Sequence, residues 1–351
     1  MQSKTPSPGH AAPQSAGWAL AEPRIGFLLL PKFSMLELFC AIEPLRIANR
    51  LGGLDFDWSF ISTDGAAVVA SNGIPVAAGQ SLAEVKDLPI MFVMASFEPE
   101  GRIAQRDYAR LRNLARHGTL LGGIDTGPFI LARAGLLAGR RVTLHWESLA
   151  AFAEEFPDIE TSANVFELDR DRLTCPGGTA PIDMMLHLVA LRGSEKLAGA
   201  VAEQIVHPRI RPGNDPQRMT PSQRYRVTHP LVSRTIELME QTLDEPLQLG
   251  VLAARLAISQ RQLERLFQIH LGQTAKNFYI SLRLDRARQL LTDSRQAVSE
   301  VALATGFASR AHFSRAYRQA FGHAPGKAGA IARQSALGNP ILPGWSSEPG
   351  G

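Results

Sequence analysis

GGIDTGPFILA, residues 122–132, follows the apolar pair Leu120–Leu121 and turns at a glycine-flanked corner into a helix-like segment. In many α/β enzymes a strand-to-helix corner of this kind carries an exposed nucleophile. Here the corner residue is Asp125. The surrounding chain repeats the same strand-then-helix unit. RIGFLLL (24–30) is a continuous apolar run suited to a strand buried on both faces, and SMLELFCAIEPLRIANRL (34–51) places apolar residues at helical spacing. WSFIST (58–63), PIMFVMA (89–95) and TLLGGI (119–124) read as further buried strands; ARLRNLARH (109–117), GPFILARAGLL (127–137) and SLAAFAEEF (148–156) read as helices. VFELDRDRLTCPGG (165–178) adds a late strand pair before a helix at TAPIDMMLHLVALR (179–192). Such alternation predicts a doubly wound, flavodoxin-like α/β sheet with ligands at the carboxyl ends of its strands.

The 351 residues suit two domains, each able to bury a core. From Pro221 to Gln334 there are sixteen Lys+Arg against eight Asp+Glu, a net charge of +8, while the rest of the chain carries −4. A basic C-terminal third on a mildly acidic body is the electrostatic pattern of a nucleic-acid-binding module. Only Cys40 and Cys175 are present, which excludes a disulfide framework and a cysteine-rich zinc site, and no cofactor or metal motif is found. Apolar stretches are broken well before the ~18 residues of a spanning helix. Residues 1–22 lack the apolar core of a signal peptide, so they read as a disordered tail on a cytoplasmic protein without a membrane partner, nucleoid-associated when bound to DNA. The sequence around IRPGNDPQRMTPSQRYRVTHP (210–230) is rich in proline and arginine and marks 206–230 as a linker.

Two similar helical units follow it. In the first, Leu249, Leu252, Ala253 and Leu256 form one apolar face, Ala257 to Ser259 a turn with Ser259 as a natural N-cap, and Leu263, Leu266 and Phe267 a second face. In the second, Val301 and Ala302 are apolar, Gly306 supplies the turn, Ser309 caps, and Phe313, Ala316 and Tyr317 face the core. RLDRARQLL (283–291) connects them. Both units therefore read as helix-turn-helix motifs. Helix geometry turns Ser259, Gln260, Arg261, Gln262 and Arg265 of the first, and Ser309, Arg310, His312 and Arg315 of the second, away from the apolar faces. Arginine and glutamine can pair bidentately with purine edges; the alternative is an ordinary solvated helix face.

ISQRQLERLF, RLDRARQLL and GFASRAHFSRAYRQAFG together resemble the AraC/XylS DNA-binding domain over residues 231–327, although the family's closing P-x-x-[FY]-R is replaced by PGKAGAIAR, with Lys327 and Arg333 nearby. LLPKFSMLELFCAIEPLRIANRL, LGGIDTGPFILARAGLLAGRRVTLHWE and RLTCPGGTAPIDMMLHLV resemble the PfpI-like branch of the class I glutamine amidotransferase superfamily. The two together are similar to the GlxA family of transcriptional regulators. Beside the disordered tail (1–22) and linker (206–230) read from composition, and a flexible tail (331–351) read the same way, the resemblance implies a ligand-sensing and dimerising domain (23–205) and a DNA-binding domain (231–330). In catalytic relatives the elbow residue is a cysteine assisted by a histidine and an acid, positions that fall on Asp125, His145 and Glu43. A carboxylate is a far poorer nucleophile than a thiolate, so the reading is a non-catalytic pocket; an active hydrolase or glyoxalase-like enzyme fused to a DNA-binding domain is the rival, and a ligand-independent architectural DNA binder a third.

Backbone N–H groups around Thr126 to Phe129 would seat a carboxylate. Phe33, Phe97 and Trp146 would face a quaternary ammonium, with Glu43 or Asp125 adding negative charge. Phe97 and Trp146 also read as core packing, and His145 as a support for a backbone carbonyl. The resemblance implies glycine betaine, carnitine, dimethylglycine or an arginine-like compound as effector. It also implies a homodimer, promoter DNA and RNA polymerase as partners, and activation of transcription.

Overall fold

A computed structural model describes residues 24–96, 103–293 and 296–331. The chain divides into two compact units, Met1–Gln217 and Arg218–Gly351. The expected N-terminal tail, all of the C-terminal tail beyond residue 331, Phe97 and Arg333 lie outside the described residues.

The first unit is built on strands β1 (Arg24–Leu29), β2 (Asp57–Ser62), β3 (Val68–Val69), β4 (Pro75–Val76), β5 (Gln80–Ser81), β6 (Ile90–Ala95), β7 (Leu120–Asp125), β8 (Arg141–Thr143), β9 (Glu160–Ser162), β10 (Glu167–Asp169) and β11 (Arg172–Cys175). Its helices are α1 (Met35–Gly52), α2 (Gln105–Arg116), α3 (Gly127–Arg133), α4 (Leu149–Glu155), α5 (Ala180–Arg192) and α6 (Glu195–Gln204). Seven strands form one sheet in the order β10-β11-β7-β6-β1-β2-β5. All its pairings are parallel except the hairpin β10–β11. The expected doubly wound sheet with a late strand pair is therefore present.

Strand alternation divides the core. Ile25, Phe27 and Leu29 of β1 join Ile90, Phe92 and Met94 of β6 beneath α1, α5 and α6. Leu28 of β1 and Met91 and Val93 of β6 meet α2, α3 and α4 on the other face. Each large side chain so buried contributes about 1.5–3 kcal/mol. The glycines of GGIDTGP serve this packing. A Cβ at Gly122 would strike the Phe92 ring at 2.3 Å, and one at Gly127 would come within 2.1 Å of the Val93 carbonyl oxygen. The strand-to-helix corner can thus press against the neighbouring strand β6.

The segment read as a linker is partly built into this unit. Val165 N–H donates to Asp215 O, Phe166 N–H to Gly213 O and Gln217 N–H to Ala163 O, and Asn164 bridges Pro216. The remainder is ordered too: Thr220 caps a short helix, α7 (Pro221–Tyr225), with a capping box completed by Gln223.

The second unit continues with α8 (Pro230–Glu240), α9 (Leu249–Arg255), α10 (Gln260–Leu271), α11 (Ala275–Asp293), α12 (Val298–Ala304), α13 (Arg310–Phe321) and a 3-10 turn at Pro325–Lys327. Val232, Ile236 and Met239 pack with Leu252, Leu263, Leu266, Phe267, Phe278 and Tyr279. Arg283 of α11 donates from Nε to Thr305 O and lies 4.1 Å from the centroid of the Phe307 ring, tying the connecting helix to the second motif. No helix among the described residues is long and apolar enough to cross a membrane.

Candidate functional site

The corner after β7 keeps the geometry of a nucleophile elbow. Asp125 has φ +59°, in the left-handed region, and only 8% of it is exposed. Holding a non-glycine residue there costs on the order of 1–3 kcal/mol and is characteristic of functional corners. Its backbone carbonyl accepts the His145 N–H at 3.3 Å.

The expected carboxylate seat at the start of α3 does not form as read. Thr126 N–H is taken by Ala95 O and Phe129 N–H by Thr126 O. Pro128 has no N–H, and the Thr126 hydroxyl donates to Ser96 O at 2.6 Å.

The acid beside the elbow is Glu37, not Glu43. Glu43 lies on the outer face of α1, where it pairs with Arg46 at 2.6 Å. Glu37 is 5% exposed and accepts the Gly178 N–H at 3.1 Å. Gly177, at φ +81°, makes room for it: a Cβ there would lie 2.3 Å from Glu37 Oε1 and 2.9 Å from Asp125 Cβ. Burial, reinforced by the charge of Asp125, pushes the Glu37 carboxyl well above the usual carboxylate range, against the pull of the Gly178 hydrogen bond. Its Oε2 is buried without a hydrogen-bond partner. Helical periodicity was the overlooked signal. Glu37 shares the stripe of buried Ala41, Leu45 and Ala48, whereas Glu43, six residues on, stands about 240° round the helix.

No thiolate substitutes for the missing elbow cysteine. Cys40 and Cys175 are both buried. Burial and the nearby Glu37 push the Cys40 thiol up to about 11, and burial raises Cys175 further. Both remain thiols at neutral pH.

A cavity of about 140 Å³ opens next to this corner, beyond the carboxyl ends of β8 and β11. His145, Trp146, Gly177, Gly178, Arg211 and Gln217 are among the residues that line it. The His145 and Trp146 rings lie 5.7 Å apart at 37°. His145 Nδ1 accepts the Glu147 N–H at 3.4 Å, and desolvation lowers the imidazole's pKa, so the ring is neutral at pH 7. A larger depression of about 220 Å³ lies around Arg24, Asp57 and Lys86, by the amino ends of β1 and β2. Doubly wound sheets bind ligands at the opposite, carboxyl end, which favours the smaller cavity.

Of the expected aromatic residues, only Trp146 lines the cavity among those described. Phe33 is fully buried in the core beneath α1, so it is packing and not a cage wall. Phe97 lies outside the described residues. Arg211 and Gln217 were not foreseen, because they belong to the stretch read as a linker. Arg211 donates its backbone N–H at 2.7 Å and its Nε at 2.8 Å to fully buried Asp183 of α5, which also meets His207 at 2.9 Å. Gln217 Nε2 donates to Thr143 Oγ1, Leu144 O and Asn164 O.

In the second unit the two motifs can be superposed from their caps. Ser259 Oγ accepts the Gln262 N–H and Ser309 Oγ the His312 N–H, each at the start of the motif's second helix. Gly272 and Gly322, both in the left-handed conformation, close α10 and α13. Gln260, Arg261, Gln262 and Arg265, and Arg310, His312 and Arg315, are all exposed opposite the buried Leu263, Phe267, Phe313 and Tyr317. Counting from the caps, Arg310 stands level with Gln260, Gln262 with His312, and Arg265 with Arg315. Arg261 has Ala311 as its counterpart.

Residues 23–191 match the DJ-1/PfpI family, and residues 252–329 match a helix-turn-helix domain. The chain is 46% identical over 305 residues to the HTH-type transcriptional regulator CdhR of Pseudomonas aeruginosa, a match spanning 87% of this chain and 91% of that protein. It is 37% identical over 305 residues to the HTH-type transcriptional regulator GlxA of Rhizobium meliloti, spanning 86% and 94%. Among solved structures, an AraC family transcriptional regulator from Pseudomonas putida is similar with 31% identity and a TM-score of 0.48, over 52% of this chain and 98% of that one. An α/β unit with an elbow, joined to paired helix-turn-helix motifs and matching such regulators over most of their length, places the chain in the family of HTH-type transcriptional regulators that combine a DJ-1/PfpI domain with an AraC-type DNA-binding domain.

Proposed function

We propose that the chain is a transcriptional activator whose first unit senses a small nitrogenous zwitterion, such as glycine betaine, carnitine, dimethylglycine or a basic amino acid, without turning it over. The observation that supports this reading is the cavity, whose lining brings together Trp146 and His145 with a different kind of residue, Arg211. An indole face attracts a quaternary or protonated ammonium by about 0.5–2 kcal/mol, and a guanidinium pairs with a carboxylate through directed, charge-assisted hydrogen bonds. A zwitterion presents both. Catalysis by the elbow would require a nucleophile that Asp125 supplies poorly and that neither buried thiol replaces. The exposed Leu36 and Phe39 on the outer stripe of α1 support pairing of two copies through the first unit, and two copies would present two half-sites' worth of recognition helices.

Thermal unfolding of the full-length protein, read with glycine betaine, carnitine, dimethylglycine, choline and arginine, tests the reading. A ligand held at one hundred times its Kd should stabilise the native state by about 2.7 kcal/mol and raise transcription from the target promoter, while the ligand is recovered unchanged. Light scattering of the same preparation should give the mass of a dimer. Consumption of the ligand that is abolished by Asp125→Ala would replace sensing by catalysis; absence of any shift would remove the sensor.

A further inference from the structure

Residues 207–217 form a strap across the first unit, and it ends where the second unit begins: Gln217 is the last residue of one and Arg218 the first of the other. The strap is held at both ends by partly buried polar contacts. At its start, His207 Nε2 and the backbone and side chain of Arg211 converge on Asp183, which is fully buried. At its end, the two N–H groups of Gln217 Nε2 are shared among three oxygens within 3.2 Å, on Thr143, Leu144 and Asn164. Between them, Gly213 and Asp215 carbonyls accept N–H groups of Phe166 and Val165. Gly213 fits only because it has no side chain, since a Cβ would lie 2.9 Å from the Phe166 ring.

The two anchoring residues are also the two that the strap contributes to the lining of the cavity, which they share with His145, Trp146 and Gly177–Thr179. At about 140 Å³ the cavity holds the volume of roughly five waters, which suits the smallest of these zwitterions, dimethylglycine and glycine betaine, better than arginine. Arg211 gives Nε and Nη2 to Asp183, and its Nη1 carries two further N–H donors. Gln217 Oε1 is buried without a hydrogen-bond partner, a carbonyl dipole whose negative end suits a cationic nitrogen with or without an N–H.

We propose that the effector site is completed by the strap: Arg211 takes the carboxylate of a small zwitterion and Gln217 lies against its nitrogen end, so that bound ligand locks residues 207–217 onto the first unit. This rests on the sensing function proposed above and adds where the signal leaves the site. A strap that has come away takes Arg211 and Gln217 with it, so ligand binds the docked form and must, by linkage, favour it. The segment so fixed is the covalent path to the DNA-binding unit.

Hydrogen exchange and calorimetry on the full-length protein test the proposal together, with glycine betaine, dimethylglycine and arginine as zwitterions and with choline and acetate as its cationic and anionic halves. Binding of a zwitterion should slow exchange of the Arg211 and Gln217 amides, whose acceptors are Asp183 and Ala163. Each half alone should bind at least tenfold more weakly. Arg211→Lys keeps a cation for Asp183 but loses the second arm, and it should lower affinity about tenfold, as for one charge-assisted hydrogen bond. Gln217→Ala, with Asp183 and Arg211 intact, should weaken ligand-induced protection of the strap. Wild-type binding that leaves strap exchange unchanged and survives both substitutions would overturn the strap's role and leave sensing in place. No binding by any of the five compounds would overturn sensing, and the strap proposal with it.

Discussion

Two carboxyl groups meet at Gly177, and their chemistry differs because their surroundings do. Glu37 is buried and faces the charge of Asp125, so its folded-state pKa is raised. Below the ordinary glutamate range, near 4.3, folded and unfolded chains are both protonated at this residue and the native state carries no penalty. As pH rises past that range the unfolded chain ionises while the native one stays protonated, and stability falls until the raised native value is passed. Glu37→Gln keeps an oxygen for the Gly178 N–H and removes the titration. Urea unfolding between about pH 4 and 8 should show the wild type losing stability relative to Glu37→Gln as pH rises; parallel profiles would mean that Glu37 is ionised in the fold. The corner itself was legible from GGIDTGP, whose glycines mark close approach of backbones. Its acid was legible only from helical phase, since Glu37 and Glu43 share a helix and differ in which side they face.

At the scale of elements, the helices of the second unit were legible because caps and apolar spacing agree, and the strap was not, because nothing in it is periodic. Its order comes from contacts such as Gln217 to Thr143, 74 residues apart in sequence, which no local pattern announces. The turns of the two helix-turn-helix motifs offer a matched test of local reading. Ala257 takes φ +55° and Gly306 φ +71° at corresponding points, each followed by an N–H that reaches back to Ala253 O or Ala302 O. An alanine in the left-handed region is strained, so Ala257→Gly should stabilise the second unit by about 0.5–1 kcal/mol. Gly306→Ala should do the reverse and by more, about 1–3 kcal/mol, because its Cβ would also meet the Pro246 ring at 2.4 Å. Thermal melting of the full-length chain, followed at a probe in the second unit, reads both. A shift of the same sign for the pair would show that backbone strain does not decide these turns.

For the whole molecule, the uneven charge is the feature that joins sequence to function. The +8 of residues 221–334 supplies a salt-sensitive attraction to any duplex, which steers and holds but does not select. We propose that selection comes from the first turns of α10 and α13, where the caps at Ser259 and Ser309 present Gln260, Arg261 and Gln262 in one motif and Arg310 and His312 in the other. These positions are not equivalent: Arg310 occupies the first helical position, Arg261 the second. The two arginines should therefore read bases at different offsets within their grooves. Binding measured across a set of single-base operator variants should show Arg261→Ala and Arg310→Ala each costing about 1–3 kcal/mol at one base position, with the two affected positions displaced differently from their half-site centres. Phosphate contacts would behave otherwise. A variant that lowers affinity uniformly over all sequences, and reduces the slope of log K against log salt by about one, would move that arginine from base reading to backbone positioning and leave Gln262 and His312, which do stand level, as the paired readers.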